Sequence, residues 1–369
     1  MPSRRSFLAA ALAAPAPPKP QLRPFGKTGL RVSALGFGCM TTSDATVIQR
    51  AADLGINYFD TARSYQNGNN ERLVGNALKS IRKQVHIASK TPAKTRQAAL
   101  ADLDTSLREL QTDYLDVWFL HNRNTTGEVT DDLLEAQREA KKAGKIRFAG
   151  VSTHFNMPQM LDHLAARGQT DVVLAAYNFT MKPDVTRAIQ AARAKGVGVV
   201  AMKVLAGGFS RIRRGDRLYG VNPQSLTATL GREGAMSAAI RWALQNSSVD
   251  TAIVCMTDHD QLDENLLASS TAFSPQDRGL LAEHLAAIAP LYCRMCGSCS
   301  GVCPRGVPVA DSLRILAYAD GYRQFPLARQ RFQELPAHAS CADCSACAVR
   351  CPNGVDVRAR LMRAQELLA

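Results

Sequence analysis

Tyr114-Leu-Asp-Val-Trp-Phe-Leu-His121 is a nearly unbroken apolar run with helical stretches on both sides, Gln97–Leu110 before it and Asp131–Ala143 after it. Such a short run between longer periodic segments reads as a strand buried on both faces. Working outward, similar runs recur at Ala34–Met40, Asn57–Thr61, Val85–Lys90, Ile146–Ser152, Val172–Asn178, Val197–Val204 and Thr251–Met256. Further helical stretches fall at Met157–Ala166, Asp184–Ala194 and Ala235–Gln245. Eight strands alternating with helices over roughly 270 residues match an α/β fold of the (β/α)8 (TIM barrel) type in count and length. A doubly wound sheet is the other arrangement of such a pattern, but no G-x-G-x-x-G follows the first strand. The barrel is expected over residues 21–290, with Ala206 to Gly234 as an excursion over its carboxyl face.

The last eighty residues read differently. Cys293-x2-Cys296-x2-Cys299-x3-Cys303-Pro304 is repeated as Cys341-x2-Cys344-x2-Cys347-x3-Cys351-Pro352, and these runs hold eight of the ten cysteines. Three thiolates two residues apart can wrap a cubane, and the fourth, before proline, ligates the other cluster in the bacterial ferredoxin pattern. Zinc ribbons use paired knuckles with long separations, and a triple knuckle gives a tetrahedral ion too many close ligands. A disulfide scaffold remains an alternative in an exported chain, although such scaffolds rarely repeat this spacing before proline. Residues 291–369 are therefore expected to form a small α-rich, ferredoxin-like domain with two 4Fe–4S clusters. Crossed ligation would join Cys293, Cys296 and Cys299 with Cys351, and Cys341, Cys344 and Cys347 with Cys303. A helical linker, Pro308 to Glu334, separates the two runs.

Residues 1–20 stand apart from both. Ser3-Arg4-Arg5-Ser6-Phe7-Leu8 resembles a twin-arginine signal, followed by a short apolar run and a proline-rich linker, Ala13 to Pro20. That route carries folded proteins, so clusters can be inserted before export, and the expected location is the periplasm. The formal charge of +13 comes from basic residues scattered among acidic ones. The densest group, Arg211, Arg213, Arg214 and Arg217, sits in one loop. This suits a solvated surface or an acidic redox partner protein and argues against nucleic acid as a partner. No stretch approaches the ~20 apolar residues of an integral membrane span.

Chemistry-bearing residues fall at strand ends, where a barrel enzyme needs them. Asp60 ends the second strand within Gly55-Ile-Asn-Tyr-Phe-Asp60-Thr-Ala-Arg-Ser-Tyr65, with Glu71 downstream; Lys90 ends the third and His121 the fourth. Together with Ser89-Lys90, Asp116-Val-Trp-Phe-Leu-His121 and Gly150-Val-Ser152, these runs resemble the aldo/keto reductase family over about Gln21 to Ala268. The resemblance implies the barrel fold and four roles. Tyr65 would be the general acid that protonates a carbonyl oxygen as hydride arrives. Lys90 would lower its pKa, Asp60 would hold Lys90, and His121 would orient the substrate oxygen. A phenol serves near neutral pH when a cation sits beside it. Cys39 and Cys255, in apolar strand ends, read as packed thiols.

The chain also departs from the family. Of the Ser, Asn and Gln that clamp a nicotinamide carboxamide it keeps Ser152, with Thr153 and Leu174 at the other positions. Met202 stands where the family stacks a tyrosine on the ring. The loop after the eighth strand reads Met256-Thr-Asp258-His-Asp260-Gln261, with aspartates where a 2′-phosphate would need cations, and only Glu264-Asn265 is retained. Gly207-Gly208 remain as a cradle for a pyrophosphate.

The expected protein is an exported iron–sulfur oxidoreductase interconverting a small carbonyl and an alcohol, with NADP(H) or NAD(H) bound tightly. The alternative is an electron-carrier or adaptor protein whose barrel no longer uses nicotinamide. A third reading is a cytoplasmic reductase whose N-terminus only mimics a signal.

Overall fold

The computed structural model describes residues 17–209, 233–336 and 339–369. The twin-arginine run and the arginines at 211, 213, 214 and 217 lie outside the described residues. The fold is an eight-stranded parallel α/β barrel. Its strands are β3 (Leu35–Gly38), β4 (Tyr58–Asp60), β5 (His86–Thr91), β6 (Leu115–Leu120), β7 (Ile146–Thr153), β8 (Val172–Ala176), β9 (Gly198–Met202) and β10 (Thr251–Cys255). They pair in sequence order, and β10 closes the ring between β9 and β3.

Each strand matches an expected run to within three residues at either end; six end inside their runs, while β5 and β7 extend one residue beyond, to Thr91 and Thr153. The carboxyl ends of the strands and the residues just beyond them carry side chains into the barrel mouth: Asp60 and Lys90 are still within β4 and β5, and His121 follows β6. β6 is buried along its whole length, as its apolar run requires. Gly150 on β7 lies opposite Phe119 on β6. A Cβ there would stand 2.4 Å from the Phe119 ring, so glycine makes room for the aromatic.

An antiparallel hairpin, β1 (Leu22–Pro24) and β2 (Arg31–Ser33), precedes the barrel and was not read from the sequence. Its Phe25, Leu30 and Val32 join Tyr58, Val117, Phe119, Leu174 and Val200 in an apolar plug inside the barrel. The plug fills the end away from the mouth, so substrate access is confined to the carboxyl face. Outer helices are set by local caps: Thr95 accepts from the Ala98 N–H and Thr130 from the Leu133 N–H.

The C-terminal region is joined to the barrel by packing as well as by covalent chain. Leu291, Tyr292 and Met295 are buried in the same apolar cluster as the barrel's outer layer. The expected linker helix is broken into Val309–Asp320 and Phe325–Gln333. The break falls at Gly321, where a Cβ would stand 1.7 Å from the carbonyl oxygen of Gly207. Close contact with the barrel's seventh loop dictates both the glycine and the turn. Asp320, fully buried, accepts from Arg360 at 2.5 Å and Arg363 at 2.6 Å, tying the first linker helix to the terminal helix Val357–Leu368. No helix among the described residues is long and apolar enough to cross a membrane.

Candidate active site and cluster-binding region

The strand-end residues Asp60, Lys90 and His121 converge with Tyr65, which follows β4 by five residues. Lys90 Nζ donates to Asp60 Oδ2 at 2.5 Å and to the Thr61 carbonyl at 2.6 Å, and both charged side chains are about 1% exposed. The same ammonium lies 3.4 Å from Tyr65 Oη and 4.8 Å from the centre of its ring. Tyr65 meets His121 edge-on, with centroids 6.0 Å apart. Glu71 sits behind them, fully buried, held by Arg63 and by the Ser89 hydroxyl.

The electrostatics correct one expectation. Lys90 was to pull the Tyr65 phenol down, but the phenol is held well above its ordinary value, by burial first and then by the Asp60 charge. The reason is in the distances. The Lys90 ammonium is bonded to Asp60 at 2.5 Å, so the phenol beside it meets the carboxylate's charge as well as the lysine's. Burial likewise keeps the His121 imidazole neutral, reinforced by Lys90, Arg331, Arg314 and Arg123.

These residues open onto one cavity of about 1200 Å³ at the barrel mouth. Met202, Gly208, Glu264 and Asn265 line it as well. Asn265, on the helix His259–Ser269, is buried at the rim. Ser152 is buried and its Oγ already accepts from the Asn122 N–H. Leu174 lies in the apolar plug. Gly207 donates its N–H to Tyr322 Oη and packs on Phe209 and Tyr292, so this glycine serves the contact with the C-terminal region. Asp258 caps the helix His259–Ser269 by accepting from the Gln261 N–H. Cys39 is a packed thiol, whereas Cys255 lines the cavity.

Part of the cavity wall was not legible in the sequence. Lys203, one residue past β9, reaches Tyr318 on the linker helix at 2.8 Å, and Arg314 reaches the same phenol oxygen at 3.3 Å. Lys203 could have been suspected from its place at a strand end. Tyr318 could not, because nothing local marks a linker tyrosine as facing a site 115 residues away.

The cysteines fall into the two crossed groups. Burial pushes the Cys293 thiol up to about 12, and the thiols close enough to add to this are Cys299, Cys296 and Cys351. Cys341 is raised by burial and then by Cys344, Cys303 and Cys347. No group of three or more His, Cys, Asp or Glu side chains among the described residues closes on a single-ion centre. Two groups of four thiols in this crossed arrangement are the donor set that two cubanes take in the ferredoxin pattern. Around them Val307, Leu313, Val349, Val355 and Leu361 form an apolar shell.

Fold and site together define a barrel oxidoreductase. Residues 34–286 match the aldo/keto reductase family, and the chain belongs to it. Residues 292–355 match the 4Fe-4S dicluster domain, which makes the protein an iron–sulfur oxidoreductase. Among curated relatives, L-galactose dehydrogenase of Arabidopsis thaliana is 26% identical over 309 residues, 74% of this chain and 96% of the relative. L-glyceraldehyde 3-phosphate reductase of Escherichia coli is 25% identical, covering 72% and 92%. The holo form of an aldo-keto reductase of Bacillus halodurans superposes with a TM-score of 0.61 at 28% identity, covering 72% of this chain and 96% of that one.

Proposed function

We propose that the protein interconverts a small carbonyl compound and its alcohol by hydride transfer, with Tyr65 as general acid and a tightly held NADP(H) or NAD(H). The observation that carries this is the convergence of Asp60, Tyr65, Lys90 and His121 on one cavity at the carboxyl end of the barrel. The cavity is large enough for a dinucleotide with a small substrate, and Glu264 and Asn265 offer it polar groups at the rim. A bound nicotinamide would supply the hydride. Tyr65, kept protonated by burial, is suited to give its proton to a developing alkoxide, with neutral His121 beside it to orient that oxygen. The buried Asp60–Lys90 pair fixes the phenol's position.

The same reading places the protein in the periplasm, exported folded by the twin-arginine route, with the clusters passing single electrons to a redox partner protein. The alternative electron-carrier reading draws on Leu174, which puts an apolar side chain where a carboxamide partner would serve.

The test is anaerobic purification of the chain without residues 1–20, with iron and sulfide assayed and any nucleotide released by denaturation identified. The expected result is about eight irons with NADP or NAD, and loss of carbonyl reduction in Tyr65→Phe. Eight irons with no nucleotide, and no NADPH or NADH binding on titration, would replace this reading with the electron carrier. Retention of the full-length protein in the cytoplasm would remove the export proposal.

A further inference from the structure

We infer that the carbonyl substrate carries an anionic group, a carboxylate or a phosphate, and that Arg123 and His154 hold it across the cavity from the dinucleotide. The inference rests on the hydride-transfer reading for its reaction and names the substrate class of that site. Arg123 lies two residues beyond His121 and lines the same cavity, yet it is only 5% exposed. One of its Nη atoms donates to the Ala93 carbonyl, and its enclosed Nε has no partner among the described residues. A guanidinium taken out of water is costly to the fold unless an anion answers its charge.

Other arginines of the cavity have that answer. Arg314 is bonded to Asp311 at 2.8 Å and Arg331 to Glu334 at 2.9 Å. Glu128 is the carboxylate whose field reaches Arg123, but it accepts from the Asn124 and Thr125 N–H groups, at 2.6 and 3.0 Å. Burial outweighs its attraction and holds the guanidinium below its ordinary value. His154, just past β7, repeats the pattern. It lines the cavity, is 6% exposed, and its Nδ1 has no partner among the described residues. Burial keeps this imidazole neutral, reinforced by Arg314 and Lys203, so it can offer one N–H to an anion. The two loops are tied together: the Arg123 N–H donates to the Ser152 carbonyl at 2.8 Å, and the His154 N–H to Asn124 Oδ1 at 2.8 Å.

Placement assigns the anion to the substrate. Gly208, Glu264 and Asn265, the rim groups suited to a dinucleotide, follow β9 and β10. Arg123 follows β6, which lies four places round the ring from β10 in either direction. The unanswered cation therefore sits on the far side of the mouth, next to His121 in the chain. A carbonyl met by Tyr65 and His121 at its oxygen and by Arg123 at its anionic end is held at two points, which fixes its orientation to incoming hydride.

The first arm of the test needs no turnover. The cluster-loaded full chain, free of nucleotide, is titrated calorimetrically with malonate and with inorganic phosphate, which separates a carboxylate site from a phosphate site. At least one is expected to bind, about tenfold or more weaker in Arg123→Met and partly restored in Arg123→Lys. Arg123→Met removes a buried cation that has no bonded counter-ion, so the fold should tolerate it. The second arm compares kcat/KM for succinic semialdehyde over butanal, and for glyceraldehyde 3-phosphate over glyceraldehyde, with NADPH or NADH. One of these ratios should be about tenfold or more in the wild type and fall towards unity in Arg123→Met. The anion that binds should compete with the aldehyde and not with the nicotinamide. Failure of both anions to bind, equal binding in Arg123→Met, ratios that survive the substitution, or competition with nicotinamide alone would each overturn the inference. If no aldehyde is turned over, the hydride reading fails, and the calorimetric arm still decides whether Arg123 holds an anion.

Discussion

The cavity holds two lysine–tyrosine pairs, and they behave oppositely. On the barrel floor Lys90 stands 3.4 Å from Tyr65, and on the wall Lys203 stands 2.8 Å from Tyr318. The floor phenol is raised well above its ordinary value and the wall phenol is lowered to about 8. Burial acts on both in the same direction. What differs is the lysine's other partner: Lys90 faces a carboxylate at 2.5 Å, whereas Lys203 has no carboxylate bonded to it among the described residues and is joined by Arg314. A cation already neutralised by an ion pair positions a phenol without activating it. A cation whose bond among the described residues is to the phenol does both.

The comparison can be broken most directly through stability. Lys90→Met leaves Asp60 buried and alone, and should cost about 3–5 kcal/mol in urea denaturation of the cluster-loaded protein. Lys203→Met abandons no carboxylate and should cost about 1 kcal/mol. Equal losses would show that the two lysines are equivalent after all.

The dependence on pH sharpens it further. The folded Tyr318 pKa lies below the unfolded value, so its contribution is lost as pH falls through about 8 and complete above about 10. The difference in stability between wild type and Tyr318→Phe should therefore grow across that window, by about 2–3 kcal/mol. A flat difference between pH 7 and pH 10, read from urea midpoints, would remove the contrast. The smallest effect is expected far from both pairs. Arg138 and Glu135 form an exposed pair on the helix Asp131–Lys142, and Arg138→Ala should change stability by a few tenths of a kcal/mol at most.

Two kinds of sequence feature were sufficient by themselves. Periodic apolar runs located all eight barrel strands, because a strand buried on both faces needs apolar residues along a short contiguous stretch. Asp60, Lys90 and His121 were legible for a related reason: the end of such a strand is where a polar side chain meets the barrel mouth. The cysteine runs were legible because spacing along the chain largely sets how thiolates wrap a cluster. The hairpin β1–β2 was not, since two three-residue strands are too short to carry a pattern. The break at Gly321 was hidden in an otherwise helical stretch, and its cause is the Gly207 carbonyl more than a hundred positions away.

Sequence thus determined which residues could do chemistry, and tertiary structure decided how strongly each does it. The identities of Tyr65 and Lys90 suggested an activated phenol, but the sign of the shift depended on burial and on the distance from Lys90 to Asp60. The meeting of Lys203 with Tyr318 joins the barrel to the iron–sulfur region across 115 residues. A proton's free energy at such a site is set by desolvation and by charges a few ångströms away, and only the folded chain fixes either.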